Sequence, residues 1–201
     1  MKTALTTELL ISAYANGYFP MPHPETEEIC WFHPDPRAIL PLNNFHVSRS
    51  LLRTMRRKSF RVSFDEDFEG VIDACADRKE TWINDEIRTA FVELYRQGHG
   101  HSVEVWNGDK LVGGTYGIAI RGAFFAESMF HRETDASKIA LLSLVNHLTT
   151  RGMNLLEVQF ITPHLASLGA VEISSDDYME RLRVALKTPV TFKERKLIQS
   201  I

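Results

Sequence analysis

The stretch from residue 102 to residue 161 limits what this chain can fold into more than any other part of it. SVEVWN alternates apolar and polar residues, Asn107-Gly108-Asp109 is a hairpin signal, and KLVGGTYGIAI follows. A break at Arg121-Gly122 leads into AFFAESMF, which completes a three-strand meander. Asp135 is placed to cap a helix, ASKIALLSLVNHLTTR, which Gly152 closes, and LLEVQFI is the next strand. A strand–helix–strand connection of this length joins parallel strands. The expected core is therefore a mixed α/β (α+β) sheet, antiparallel through the meander and parallel across the final helix.

Around that core, residues 5–16, 49–57, 65–76, 84–97 and 175–187 read as helices. Ser48 and Asn84 stand at capping positions, and Gly17 and Gly98 at stops. Pro20, Pro22, Pro24, Pro34, Pro36 and Pro41 keep 18–43 extended and irregular, because proline fixes its own φ and restricts the residue before it. A boundary is expected there, with 1–43 as a small N-terminal domain and proline-rich connection and 44–201 as the main domain. The layout resembles the acyltransferase core of the GCN5-related N-acetyltransferases. In those enzymes a glycine-containing loop before the central helix holds the coenzyme A pyrophosphate. Here the junction is FHRETDASKIAL, without glycine, and Glu133 and Asp135 would oppose a pyrophosphate.

Of 201 residues, 44% are hydrophobic and 24% charged, enough apolar mass to bury a core. A net charge of −3 excludes a uniformly basic coat for nucleic acid but leaves room for a local basic patch. Cys30 and Cys75 form no CxxC pair, and none of the eight histidines lies in HExxH, so neither a disulfide framework nor a metal site is expected. GxSxG, GxGxxG and GxxxxGK are absent, which removes sequence support for a nucleophile elbow, a dinucleotide site or a Walker loop. The opening MKTALTTELL lacks a signal-peptide pattern, and no stretch approaches the ~18 apolar residues of a membrane helix, so a cytoplasmic protein is expected.

Three features could carry chemistry. In NLLEVQFI, Leu155, Glu157, Gln159 and Ile161 share one face. If the strand is central, a carboxylate and an amide enter a covered layer as a hydrogen-bonded relay for an amine; an edge strand would leave them in water. Glu127 sits among Phe124, Phe125, Met129 and Phe130, where it could bind a cation, unless it is a strand-end group facing solvent. The third is FHVSRSLLRTMRRKSFR (45–61), which holds no acid. Arg49, Arg53, Arg56 and Arg57 fall on one helical face, and a phosphate backbone would offset their repulsion. The following Asp65, Glu66, Asp67 and Glu69 could partly neutralise them.

GYFPM (17–21), FHPDPRAILP (32–41), TWI (81–83), HSVEVW (101–106), LVGGTYG (111–117), ESMF (127–130), ASKIALL (136–142) and SLGAVEI (167–173) together resemble one family, the bacterial leucyl/phenylalanyl-tRNA–protein transferases. The resemblance implies that Leu or Phe passes from its tRNA to the N-terminal Arg or Lys of acceptor proteins, as a degradation signal of the N-end rule pathway. It implies no metal or organic cofactor and a fold like that of the acetyltransferases. Glu157 and Gln159 match the catalytic relay, with Gln159 on the attacking amine and Glu157, where the family usually has Asp, polarising Gln159. Glu127 matches an acidic position near the acceptor, and Trp82 an aromatic near the terminal adenosine. Met21 stands where many members carry Trp. Arg49, Arg53, Arg56 and Arg57 match the tRNA-binding patch. Phe124, Met129, Leu141, Leu144, Leu148 and Leu156, with Thr115, match an apolar pocket for the donor side chain. A monomer without membrane contact is expected. A tRNA-binding module without the reaction, or an acyl-CoA-dependent N-acetyltransferase, would share parts of this pattern.

Overall fold

A computed structural model describes residues 5–23, 25–26, 28–78 and 81–193; Pro24 and the first four residues lie outside that set. The elements in chain order are α1 (Thr7–Ala15), β1 (Phe19–Pro22), β2 (Ile29–Phe32), β3 (Arg37–Ile39), α2 (Arg49–Arg57), β4 (Arg61–Phe64), α3 (Phe68–Ala76), α4 (Asp85–Arg96), β5 (Gly100–Asn107), β6 (Lys110–Ile120), β7 (Ala123–His131), α5 (Ala136–Thr150), β8 (Leu155–Gln159), α6 (Pro163–Ser167), β9 (Val171–Ile173) and α7 (Ser175–Lys187). β1 and β2 form an antiparallel pair, and the others a seven-stranded sheet in the order β4-β5-β6-β7-β8-β3-β9.

The meander and crossover expected from the sequence are present: β5, β6 and β7 pair antiparallel, and α5 carries the chain to β8, which is parallel to β7. Ser48 and Asn84 accept hydrogen bonds from the Leu51 and Ile87 amides as helix caps. Gly17, Gly98 and Gly152 take the left-handed conformation at helix ends. Asp135 does not cap α5. Its own φ is +67°, and its carboxylate goes instead to the Thr54 hydroxyl and the Lys138 ammonium.

The period-two alternation of the strands sends successive side chains to two separate cores. On one face Phe125 and Phe130 of β7 meet Tyr14 of α1, Val71 and Cys75 of α3, Phe91 of α4 and Tyr178 of α7. On the other, Phe124 and Leu156 meet Leu51 of α2, Leu141, Leu144 and Leu148 of α5 and Leu165 of α6. Among the described residues, no helix is long and apolar enough to cross a membrane.

β3 precedes the boundary expected at residue 43, yet it belongs to the large sheet, between β8 and β9. Arg37, at its start, is wholly buried and ties the N-terminal segment to the sheet. Its Nη1 donates to the Gly17 carbonyl at 2.9 Å, and its guanidinium lies between the rings of Phe19 (4.7 Å) and Tyr178 (4.5 Å). A buried guanidinium is tolerable only when paired and hydrogen-bonded, which here requires Glu157.

Candidate active site

β7 and β8 pair only from Ala123–Phe125 against Leu155–Glu157. Beyond that register each strand has a local irregularity. On β7 it is a bulge: Tyr116 opposes Ser128 and Gly117 opposes Ala126, which leaves Glu127 as the extra residue. A bulged residue is re-aimed relative to the alternation of its strand. Gly117 permits this close approach, since a Cβ there would lie 2.1 Å from the Phe125 carbonyl oxygen. On β8 the irregularity is Gln159, whose φ of +62° is uncommon for a side chain of that kind and ends the alternation.

The two irregularities bring Glu127 and Gln159 together. The Gln159 amide Nε2 donates to Glu127 Oε2 at 2.9 Å, and the Tyr14 hydroxyl donates to Glu127 Oε1 at 2.7 Å. Behind them, Glu157 Oε1 accepts from Arg37 Nε at 2.8 Å and from the Gln159 backbone amide at 2.6 Å. Glu157 Oε2 is buried without a hydrogen-bond partner among the described residues. β8 is an interior strand, so the solvent-facing alternative does not apply: Glu157 is 0% and Gln159 8% exposed.

This wiring differs from the expected relay. Glu157 holds the backbone of Gln159, while the side-chain amide is held by Glu127. The positive φ at Gln159 fits the difference, because rotation about N–Cα sets the direction of its side chain and onward chain independently of its N–H, so the N–H meets Glu157 while the side chain reaches Glu127. Burial shapes the charges. It pushes the Glu127 carboxyl up to about 8, reinforced by the neighbouring Glu157 and opposed by the bonds from Tyr14 and Gln159 and by Arg37. Burial also raises Glu157, against the pull of Arg37. The Tyr14 hydroxyl is raised well above its ordinary value, first by burial and then by Glu127, so it remains a donor.

The apolar residues expected to receive the donor side chain do form one layer. Phe124, Leu141, Leu144, Leu148 and Leu156 belong to the same core, with Met129 half-buried against it. Thr115 is buried and donates its hydroxyl to the Ser128 carbonyl at 2.9 Å. The layer is closed rather than open: those five side chains are at most 1% exposed, and Phe192 packs on Phe124 with ring centroids 5.4 Å apart. A slot and a packed core have the same apolar composition, so sequence could not distinguish them. Trp82 and Met21 are half-buried against the opposite core, the one that contains Tyr14.

Arg49, Arg53, Arg56 and Arg57 are exposed on α2, while Leu51 anchors the helix. The acids expected to neutralise them are engaged elsewhere. Asp65 bonds His101, Glu66 bonds Arg61, Asp67 caps α3 and Glu69 pairs with Arg88. The acids of the junction before α5 are also paired, Glu133 with Lys58 and Asp135 with Lys138.

Two residues of the candidate site were not singled out in the sequence. Tyr14 reads there as an apolar helix position, and Arg37 as part of a proline-rich connection. Their partners lie 113 and 120 residues away along the chain. The available signal was the arginine opening the apolar run RAIL inside FHPDPRAILP.

Comparison with known proteins bears on this arrangement. The family described as leucyl/phenylalanyl-tRNA protein transferase matches residues 39–183, and its N-terminal domain matches residues 3–35. A leucyl/phenylalanyl-tRNA–protein transferase of Cereibacter sphaeroides is 54% identical over 190 residues, covering 94% of this chain and 89% of the relative. The protein of that name from Gloeobacter violaceus is 47% identical over 193 residues, covering 96% and 100%. Among solved structures, an aminoglycoside acetyltransferase from an uncultured soil metagenomic sample aligns with a TM-score of 0.40 at 13% identity, covering 71% of this chain and 94% of that one. Matched by both family domains and by relatives along nearly its whole length, this chain belongs to the leucyl/phenylalanyl-tRNA–protein transferase family.

Proposed function

We propose that this protein is an aminoacyltransferase that moves leucine or phenylalanine from tRNA to the α-amine of a protein beginning with Arg or Lys. The amine nitrogen attacks the ester carbonyl, a C–N bond forms, and the ester C–O bond breaks. The 3′-terminal ribose hydroxyl leaves with the proton that the amine loses. The supporting observation is the buried chain Tyr14–Glu127–Gln159 across the splay of β7 and β8, backed by Glu157 and Arg37.

The chain's residues divide this work by their chemistry. Glu127 is a buried acid placed where a cationic N-terminal residue would favour its ionised form, offsetting the burial that raises its pKa. Gln159 is fixed at its backbone by Glu157 and at its amide nitrogen by Glu127, so its carbonyl oxygen is set to accept from the attacking amine. A neutral amide is a weak base, and the donor ester is already activated, so holding amine against ester carries most of the acceleration. Arg37 and Tyr14 are positioning residues that act through Glu157 and Glu127. The donor side chain is received at the layer of Phe124, Leu141, Leu144, Leu148 and Leu156, bounded by Met129 and Thr115, which is closed as it stands and opens for the donor when Phe192 moves off Phe124. Trp82 and Met21 flank the terminal adenosine, and the α2 arginines meet the tRNA stem. The new N-terminal Leu or Phe marks the acceptor for N-end rule degradation in the cytoplasm, and the protein acts as a monomer.

A transfer assay tests the reading. With Leu-tRNA or Phe-tRNA and an Arg-starting peptide, and without coenzyme A, the peptide should acquire the labelled amino acid. Gln159→Ala should lower kcat on the order of 10²-fold, the scale of a misplaced reacting group, with tRNA affinity unchanged. Binding of tRNA without peptide labelling by the unaltered protein would overturn the proposal.

A further inference from the structure

A cavity of about 310 Å³ lies where the end of α3 meets the end of β7, lined by Asp77, Arg78, Met129, Phe130, His131 and Arg132 together with Ala74. Arg78 is built into its wall. Its Nε donates to the Cys75 carbonyl at 2.7 Å, and its Nη2 to the Ser128 hydroxyl at 2.9 Å and the Met129 carbonyl at 3.1 Å. These are neutral acceptors: neither Arg78 nor Arg132 has a carboxylate partner among the described residues. Arg132 lies over the Phe130 ring at 5.5 Å, and among the described residues its side chain donates to the Leu111 carbonyl, at 3.4 Å. Asp77 is the one acid on the wall, against two guanidiniums and the exposed His131.

The cavity is continuous with features already described. Ser128, which Arg78 holds, follows Glu127 in the chain. On the other side, Arg132 opens the loop whose acids are already engaged: Glu133 by Lys58 just after α2, and Asp135 by Thr54 of α2. Arg132 thus stands at the start of the loop that is tied to α2, and Ser128 next to Glu127. The acceptor's own charge is positive and is assigned to Glu127, so the two guanidiniums of this cavity suit the other substrate.

We propose that this cavity binds a phosphodiester of the single-stranded 3′ end of the aminoacyl-tRNA, through the guanidiniums of Arg78 and Arg132. Fork-shaped guanidinium donors match phosphate oxygens in pairs, which the exposed Arg132 can do, while Arg78, held through Nε and Nη2, has its Nη1 donors left for a phosphate oxygen and is already ordered. The inference rests on the transferase reading for the identity of the anion, and its test is independent of turnover.

The probe is a short single-stranded RNA ending in CCA, with binding followed by fluorescence anisotropy on the full chain. Arg132→Ala, at an exposed side chain, should weaken binding about tenfold, the scale of one charge-assisted contact. It should also flatten the salt dependence by about 0.7 in log–log slope, the value for one single-strand phosphate contact. Arg183→Ala, which removes the same charge from an exposed position of α7, should leave both unchanged. Arg78→Lys keeps the charge but loses the bonds that hold the group in the wall and the free Nη1 donors, and should weaken binding while circular dichroism shows an intact fold. Equal affinity and slope for Arg132→Ala and the unaltered protein would overturn the proposal. So would an Arg132→Ala effect confined to the KM of an acidic acceptor peptide, which would make the cavity a protein contact. If the RNA binds as expected and no transfer occurs, the cavity stands and the transferase reading falls.

Discussion

At the scale of single residues, the site is governed by burial acting on Glu127. Its carboxyl titrates at about 8 in the folded protein and near the ordinary ~4.3 in the unfolded chain. Between those values the folded state binds more protons, so its stability falls as pH rises through that window. Glu127→Gln should remove this part of the slope. Thermal unfolding of both proteins between pH 5 and pH 8 checks it, and parallel curves would place the charge of Glu127 elsewhere. An arriving cation favours the ionised form, so the KM for an Arg-starting peptide should fall as pH rises toward 8 in the unaltered protein but less in the variant. Glu127, Glu157 and Gln159 were legible as polar groups in apolar strands. Which of them touch was not, because the wiring depends on one bulge, one left-handed residue and two partners, Tyr14 and Arg37, that lie more than a hundred residues away.

At the scale of elements, the long periodic segments were legible and the short ones were not. The helix expected over 49–57 is α2, and the meander matches β5, β6 and β7. β3, β4 and β9 have only three or four residues each, too few for a period to show. The bulge shows what such details decide. Gly117 lets β6 approach the Phe125 carbonyl, and this register leaves Glu127 unpaired. Gly117→Ala should therefore destabilise the protein by about 1–3 kcal/mol, the usual range for overpacking. It should also lower transfer activity more than the stability change explains, because the strand must shift at the site. Chemical denaturation beside a transfer assay at a temperature where both proteins are folded checks this, and a variant of unchanged stability would show that the register yields without strain.

At the scale of the molecule, a mixed sheet separates two cores, and the groups of the candidate site meet where two parallel strands part. The α2 arginines lie outside the candidate site, and the role proposed for them is binding rather than chemistry. Neutralising Arg53 and Arg56 should weaken tRNA binding and flatten its salt dependence by up to ~0.9 in log–log slope per lost stem contact, with kcat preserved at saturating tRNA. An unaltered slope would mean that this face points away from the nucleic acid.

The sequence by itself determined the strand order of the meander and crossover, the helix caps at Ser48 and Asn84, and the basic face of α2. Periodicity, turn chemistry and local charge spacing operate over a few residues and are written along the chain. Only the tertiary structure decided that β3 enters the main sheet, that Arg37 secures Glu157 from behind, and that Gln159 turns toward Glu127. Those outcomes depend on which distant segments are packed together, and on the need of each buried charge to find a partner, which no local pattern encodes.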